Sequence, residues 1–325
     1  MKNTDPLISV VMPMYNSASY LSKSIESVLN QTYTNIELII VDDFSTDNSL
    51  SIAQHYAEMD KRIKIFTSPC NQGPKKARDK AISLSSGEWV VNIDSDDTVE
   101  LDYIKKLWQR HLETNADYIG TTMCELDTNN NIVSTIPNKQ FDYSVVYGGT
   151  EAMMRTLLSW EFSAGGALWR KTILSNLSTQ NDYINNTDEC DTRIHLNNCD
   201  KVAFVDAKYF YTQNVSSISR KVSVNSIAWD LYSACGLLDY FNQRYGKSSA
   251  LSYLYHVLVA QLFREKIWSV YKLCVRSHIK LPHLMVNILS KAYNTYRNQR
   301  IKEHYCEVQF YRMIMALIRH RHQES

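Results

Sequence analysis

Asp94, Asp96 and Asp97 fall within four residues, Asp94-Ser95-Asp96-Asp97, at the end of the apolar run Trp89, Val90, Val91, Ile93. About fifty residues earlier a similar run, Glu37 to Val41, ends in a second acidic pair, Asp42-Asp43. Adjacent carboxylates repel one another and stay ionised only where a cation or strong donors offset them. A divalent metal with oxygen ligands is the natural partner, and such an ion commonly clamps the phosphates of a nucleotide. Two acidic clusters at the exit ends of buried strands share one edge of an open sheet, where α/β proteins bind ligands. The chemistry this points to is metal-dependent work on a phosphate-bearing donor.

Other residues at the same edge extend this chemistry. Pro13-Met14-Tyr15-Asn16 follows the first strand-like segment, and Tyr15 could lie against a base, although a lone aromatic in this place is more often core. Asp43 could accept hydrogen bonds from a base edge, or simply cap a turn with Ser45, Thr46 and Asp47. Gly73-Pro74-Lys75-Lys76-Ala77-Arg78 opens a predicted helix with three cations in its first turn. Cations add to the positive end of a helix dipole, so their clustering there suggests an anionic partner such as a diphosphate. Neither G-x-G-x-x-G nor G-x-x-x-x-G-K-[ST] occurs, which removes the main sequence support for a dinucleotide fold or a P-loop.

The elements that must position these residues are strands at Ile8 to Met14, Glu37 to Val41, Ile63 to Thr67 and Trp89 to Ile93. Their unbroken apolar character suits parallel strands covered on both faces. Helical spacing over Ala18 to Asn30, Asn48 to Met59 and Lys75 to Leu84 makes the alternation βαβαβαβ, an open α/β sheet with helices on both faces. A helix at Leu101 to Glu113 and strands at Tyr118 to Cys124 and Val202 to Val205 continue it. After about Val222 strand alternation gives way to helical spacing. The expected organisation is 1–125, 126–222 in the same domain, and 223–325 as a C-terminal helical subdomain.

The 325 residues are 44% hydrophobic and 21% charged, as in a globular protein with a sizeable core. Seven cysteines, odd in number and without a C-x-x-C pair, argue against a disulfide framework or a zinc site. No secretory signal or membrane span is evident, so the expected location is the cytoplasm. From Gln261 to Ser325 there are 12 Lys and Arg against 4 Asp and Glu, within a chain of formal charge +1. A basic tail of this kind fits an anionic membrane face, a solvated helical surface or a homodimer contact, and no nucleic-acid partner is expected.

Taken together, Ser9-Val10-Val11-Met12-Pro13-Met14-Tyr15-Asn16, Ser24 to Tyr33, Glu37 to Asp43, Asn71-Gln72-Gly73, Ala77-Arg78, Ser86-Gly87-Glu88 and Asp94 to Asp97 resemble glycosyltransferase family 2, of GT-A fold. The likeness is dense over the first hundred or so residues and extends more weakly to Tyr209-Phe210-Tyr211 and Ser216 to Arg220. It implies a Rossmann-like GT-A sheet, a UDP-sugar donor, Mn2+ or Mg2+, and inverting transfer to a glycan or lipid-linked glycan acceptor at the inner face of the membrane. It also implies nucleotide-sugar binding for 1–125, and acceptor binding and the catalytic base for 126–222. By that similarity Pro13, Tyr15 and Asp43 would line the nucleotide, Arg78 would contact it, and Asp96 would meet the ribose. Asp97, with Asp96, would hold the metal, and Asp94 would support the site. The family's catalytic base follows an acidic residue about ninety positions later. Here the match is Thr187-Asp188, so Asp188 is the candidate, with Glu189 and Asp191 as alternates. A helix cap would explain the same acids. Gly165, Gly166 and Trp169 stand where the family places its acceptor wall, though a core tryptophan explains Trp169 equally well.

The chain departs from the family in carrying Ala77-Arg78-Asp79-Lys80 for the usual Ala-Arg-Asn-x-Gly, and it lacks the Gln-x-x-Arg-Trp of processive synthases, which favours single addition. Asp94-Ser95-Asp96-Asp97-Thr98 also fits the D-x-D-x-T motif of haloacid-dehalogenase-like phosphatases, with Asp94 as nucleophile. That family places the motif on its first strand. A calcium loop fails on spacing, with Val99 and Lys105 where Gly and Glu are required. A non-catalytic nucleotide-sugar-binding relative is the remaining alternative.

Overall fold

The computed structural model describes residues 5–137, 140–158, 165–175, 188–212 and 236–246. The first half alternates β1 (Ile8–Met14), α1 (Leu21–Leu29), β2 (Ile36–Asp42), α2 (Ser49–Met59), β3 (Ile63–Thr67), α3 (Pro74–Leu84) and β4 (Trp89–Asn92). The four strands are parallel in the order β3-β2-β1-β4. Every residue of β1 and β2 is buried, as continuous apolar runs covered on both faces require. Leu21, Ile25 and Val28 of α1 pack in the same core as Ile8, Val10, Met12 and Leu38. On the other face, Ala77 and Ala81 of α3 pack with Val11, Ile39 and Val41.

The second half follows with β5 (Thr98–Val99), α4 (Tyr103–Thr114), β6 (Tyr118–Leu126), β7 (Ile132–Ile136), β8 (Tyr147–Gly148), α5 (Gly149–Leu158), β9 (Leu168–Arg170), α6 (Lys171–Ser175), α7 (Asp188–Asn197) and β10 (Lys201–Thr212). The sheet continues past β4 as β9-β6-β10-β5. The three-residue β9 runs antiparallel between β4 and β6 and joins the halves. β10 is far longer than the Val202 to Val205 segment expected for it, and a register shift between Phe204 and Lys208 lets it continue alongside β6. It ends beside the acidic turn that follows β4, which gives that turn its inner partners.

The chain divides into two compact units, Met1–Ile184 with Asp191–Ser217, and Asn185–Cys190 with Ile218–Ser325. Of the expected helical subdomain only 236–246 is described; residues 236–245 are helical and bury Leu237, Leu238 and Phe241. The basic segment 261–325 lies outside the described residues. Among the described residues Cys70, Cys124, Cys190 and Cys199 are not joined in disulfides. Among the described residues no helix is long and apolar enough to cross a membrane.

Glu37 is a charged residue built into the interior of the sheet. Glu37 of β2 accepts from Ser9 Oγ (2.6 Å), Lys64 Nζ (2.7 Å) and the Ser86 amide. Burial alone would raise its carboxyl, but these donors outweigh it and hold the group down at about 2. The stability it contributes is therefore fully present above the ordinary value of 4.5 and is lost as the pH falls toward about 2. Glu37→Gln should lower unfolding free energy by about 2 kcal/mol at neutral pH. In denaturant melts across a pH series the gap to wild type should narrow below about pH 4.5, whereas a constant gap would contradict this account.

Candidate functional site

The loops after β1 and β2 are laced together at the exit edge of the sheet. Asn16 N donates to Ser45 Oγ (3.0 Å), Ser17 N to Ser49 Oγ (2.7 Å), Ala18 N to Asp47 Oδ2 (3.1 Å) and Thr46 N to Asn16 Oδ1 (2.8 Å). Asn16 (φ 49°) and Phe44 (φ 68°) adopt left-handed backbone there, a conformation non-glycine residues hold at a cost of order 1 kcal/mol where the surroundings enforce it. Tyr15 and Phe44 stand out from this rim, 47% and 52% exposed. Pro13 is buried in β1, in register with Val41 of β2 and beyond the last β4 pair at Val11.

Asp94-Ser95-Asp96-Asp97 is a turn closed by the Asp97 amide donating to Asp94 O at 3.1 Å. Ser95 and Asp97 point inward. Ser95 is held by Ser17 Oγ at 2.6 Å and, through its carbonyl, by Ser24 Oγ of α1 at 3.0 Å. Asp97 is 1% exposed; its Oδ2 accepts from Tyr209 Oη at 2.7 Å and its Oδ1 from the Thr212 amide at 2.9 Å. Asp94 and Asp96 alternate with these to the outside, the Asp94 side chain 41% exposed. Arg78 donates from Nε to Asn92 Oδ1 (3.1 Å) and lies 3.6 Å from Asp94 Oδ1, which also accepts from Asn92 Nδ2 (3.2 Å). Burial first, then the charges of Asp94 and Asp96, push the Asp97 carboxyl up to about 8 against the pull of Thr212 and Tyr209. The two outward carboxylates of the turn are thus Asp94 and Asp96, and among the described residues no group of three or more His, Cys, Asp or Glu side chains gathers that could hold a metal ion. Asp97, to which the resemblance gives the metal, has both oxygens engaged inside the protein.

Asp43 is also turned inward. Its carboxylate accepts from the amides of Gln72 (2.9 Å) and Gly73 (2.7 Å), fixing the loop that opens α3 where Gly73 takes φ 91°. The three cations that follow do not act together. Lys75 is buried and pairs with Asp79 (2.7 Å) and Asp191 (3.0 Å), so its charge is spent within the protein rather than on a ligand. Lys76 is exposed, and Arg78 alone of the three reaches the acidic turn. Asp191 is likewise committed to the Lys75 pair. Asp188 and Glu189 begin α7, and their side chains lie outside the described set.

The expected acceptor wall is a packing contact instead. Gly166 is buried at φ 72°, where a Cβ would collide with the Tyr103 hydroxyl and the Tyr209 ring. Trp169 is 6% exposed, edge-on to Tyr118 (4.4 Å between centroids) and to His195 (5.7 Å), with no indole face left for a sugar. Burial, then Lys75, pushes His195 down to about 4, and its Nε2 has no partner among the described residues. Sequence reasoning assigned no role to Asn92, His195 or Tyr209. Only Tyr209 carried a signal, as part of the weaker stretch of the resemblance.

A family model described as glycosyl transferase family 2 matches residues 9–177, just over half of the chain. The chain belongs to glycosyltransferase family 2. This member is 39% identical over 158 residues to an uncharacterised glycosyltransferase of Haemophilus influenzae, a match spanning 47% of this chain and 62% of that protein. It is 31% identical over 222 residues to the glycosyltransferase GlyG of Streptococcus pneumoniae, spanning 66% and 73%. The crystal structure of S. aureus TarS 1–349 in complex with UDP superposes with a TM-score of 0.64 at 16% identity, covering 98% of this chain and 92% of that one. That likeness shows the GT-A fold. The phosphatase alternative falls with the family assignment, and Asp94 follows the fourth strand of the sheet rather than the first.

Lys75→Met should leave Asp191 without its cation and lower unfolding free energy by roughly 2 kcal/mol. The exposed neighbour substitution Lys76→Met should change it by less than about 0.5 kcal/mol. Equal effects of the two in chemical denaturation would show that the Lys75 pair is not structural.

Proposed function

We propose that this glycosyltransferase is inverting and non-processive, moving one hexosyl or N-acetylhexosaminyl unit from a UDP-sugar to a hydroxyl of a glycan or lipid-linked glycan acceptor. The observation that carries this reading is the two-faced acidic turn, with Asp94 and Asp96 outward beside Arg78 at the exit edge of β1, β2 and β4. The crystal structures of TarS in complex with UDP and with UDP-GlcNAc support a nucleotide-sugar donor.

On this reading Tyr15 packs against the base and Arg78 draws in the nucleotide. Asp94 and Asp96 face outward at the exit edge of the sheet, and a pair of outward carboxylates suits a divalent ion. Asp94 and Asp96 would hold Mn2+ or Mg2+, with phosphate oxygens of the donor completing the shell. When bound, the ion supplies positive charge to the leaving diphosphate. Asp188, at the start of α7, takes the proton of the acceptor hydroxyl as its oxygen bonds to the anomeric carbon and the bond to the diphosphate breaks on the opposite face. The products suit assembly of surface polysaccharide, lipopolysaccharide or capsule precursors in the cytoplasm, and the basic segment 261–325 would rest on an anionic membrane where lipid-linked acceptors reside.

Nucleotide release from a panel of UDP-, GDP- and TDP-sugars, with and without Mn2+, tests this. The expected result is metal-dependent release from a UDP-sugar that Asp96→Asn abolishes. Asp188→Ala should keep UDP binding and lose transfer by at least about a hundredfold. Full activity in Asp188→Ala would move the base to another residue, and release from no activated sugar would favour a non-catalytic binding protein.

A further inference from the structure

Tyr209 lies outside every role assigned above, yet its hydroxyl touches both ends of the acidic turn. It accepts from the Asp94 amide at 3.2 Å and donates to Asp97 Oδ2 at 2.7 Å. The ring that carries it cannot shift easily. Its backbone is paired on both sides, with Val99 of β5 and Met123 of β6. Tyr103 stands beside it with ring centroids 6.4 Å apart, and the Tyr103 hydroxyl donates to Gly166 O at 2.8 Å. Gly166 lies so close that any side chain there would strike the Tyr209 ring. Three residues further along β10, the Thr212 amide takes the other oxygen of Asp97. One strand therefore holds the last residue of the turn by both carboxylate oxygens and the first by its amide.

We infer that Tyr209 is a positioning residue for the donor cation: its hydroxyl, fixed by the packing of Tyr103 and Gly166, sets the angle at which Asp94 and Asp96 meet the metal and the diphosphate. The inference rests on the donor-site reading above. Removing the hydroxyl takes the partner from a part-buried amide and from a buried carboxylate oxygen at opposite ends of a four-residue turn. The turn can recover partners only by rotating, and rotation re-aims the outward carboxylates that alternate with the inward pair. Partners that orient metal ligands without touching the metal typically tune its affinity by about ten- to a hundredfold. A merely structural tyrosine would instead lower the melting temperature and leave the metal-dependent part of nucleotide binding intact.

The test is calorimetric titration of UDP into the full chain, with Mn2+ and with chelator, for wild type, Tyr209→Phe, Asp97→Asn and the double variant. Tyr209→Phe should weaken UDP binding at least about tenfold in Mn2+ while leaving the metal-free affinity unchanged. The double variant should be no weaker than Asp97→Asn alone, because the tyrosine acts through that carboxylate. Should Tyr209→Phe fail to fold, Asp97→Asn must show the same selective loss. Overturning results are a Tyr209→Phe protein that gains as much from Mn2+ as wild type, or equal losses with and without the metal. If wild type itself gains nothing from Mn2+, the donor-site reading fails and takes this inference with it; a gain in wild type that survives in both variants sinks the inference alone.

Discussion

Three carboxylates in four residues cannot all face the same solvent without mutual repulsion, and the rest of the site follows from how the protein resolves that constraint. It turns one of them, Asp97, into the core against Tyr209 and the Thr212 amide, and leaves Asp94 and Asp96 outside beside Arg78. The inward bonds make the turn rigid, and the outward pair concentrates charge where the parallel strands end. Burial and the two outward charges then act on Asp97 in the same direction. The acidic edge is thus an anchored piece of fold that presents two carboxylates outward.

The surrounding rim is built to hold this turn still. Ser17 joins it to the β1–α1 loop, Ser24 joins it to α1, and the β1 and β2 loops are cross-bonded through Asn16, Ser45, Asp47 and Ser49. Asp43 and Lys75, which stand among the polar residues of the edge, are spent on internal bonds that set where α3 begins and tie α3 to Asp191. A dense network of this kind favours a site formed before the ligand arrives, with Tyr15 and Phe44 as its exposed aromatic margin.

The parallel half of the sheet was legible because β1 and β2 are covered on both faces and so appear as unbroken apolar runs. β9 was not legible. Three residues carry no period, and its place between β4 and β6 is set by pairing with strands distant in sequence. In the site, residue types and spacing identified Asp94, Asp96, Asp97 and Arg78, and the ordered resemblance identified the family. Direction was the missing information. Whether an aspartate in a turn points in or out depends on partners such as Tyr209, more than a hundred residues away, and the cationic start of α3 looked like an anion site because Asp191 could not be seen opposite Lys75. Trp169 shows the same limit, since an indole in a strand next to glycines suits a sugar wall or a core, and Tyr118 and His195 make it core.

The most direct test of the central claim is a crystal structure of the chain with UDP and Mn2+, with the ion located by anomalous scattering. The account predicts a peak about 2.1 Å from carboxylate oxygens of the outward pair, Asp94 or Asp96, with Asp97 still bonded to Tyr209 and the Thr212 amide. An ion ligated by Asp97, with those inward bonds broken, would contradict it.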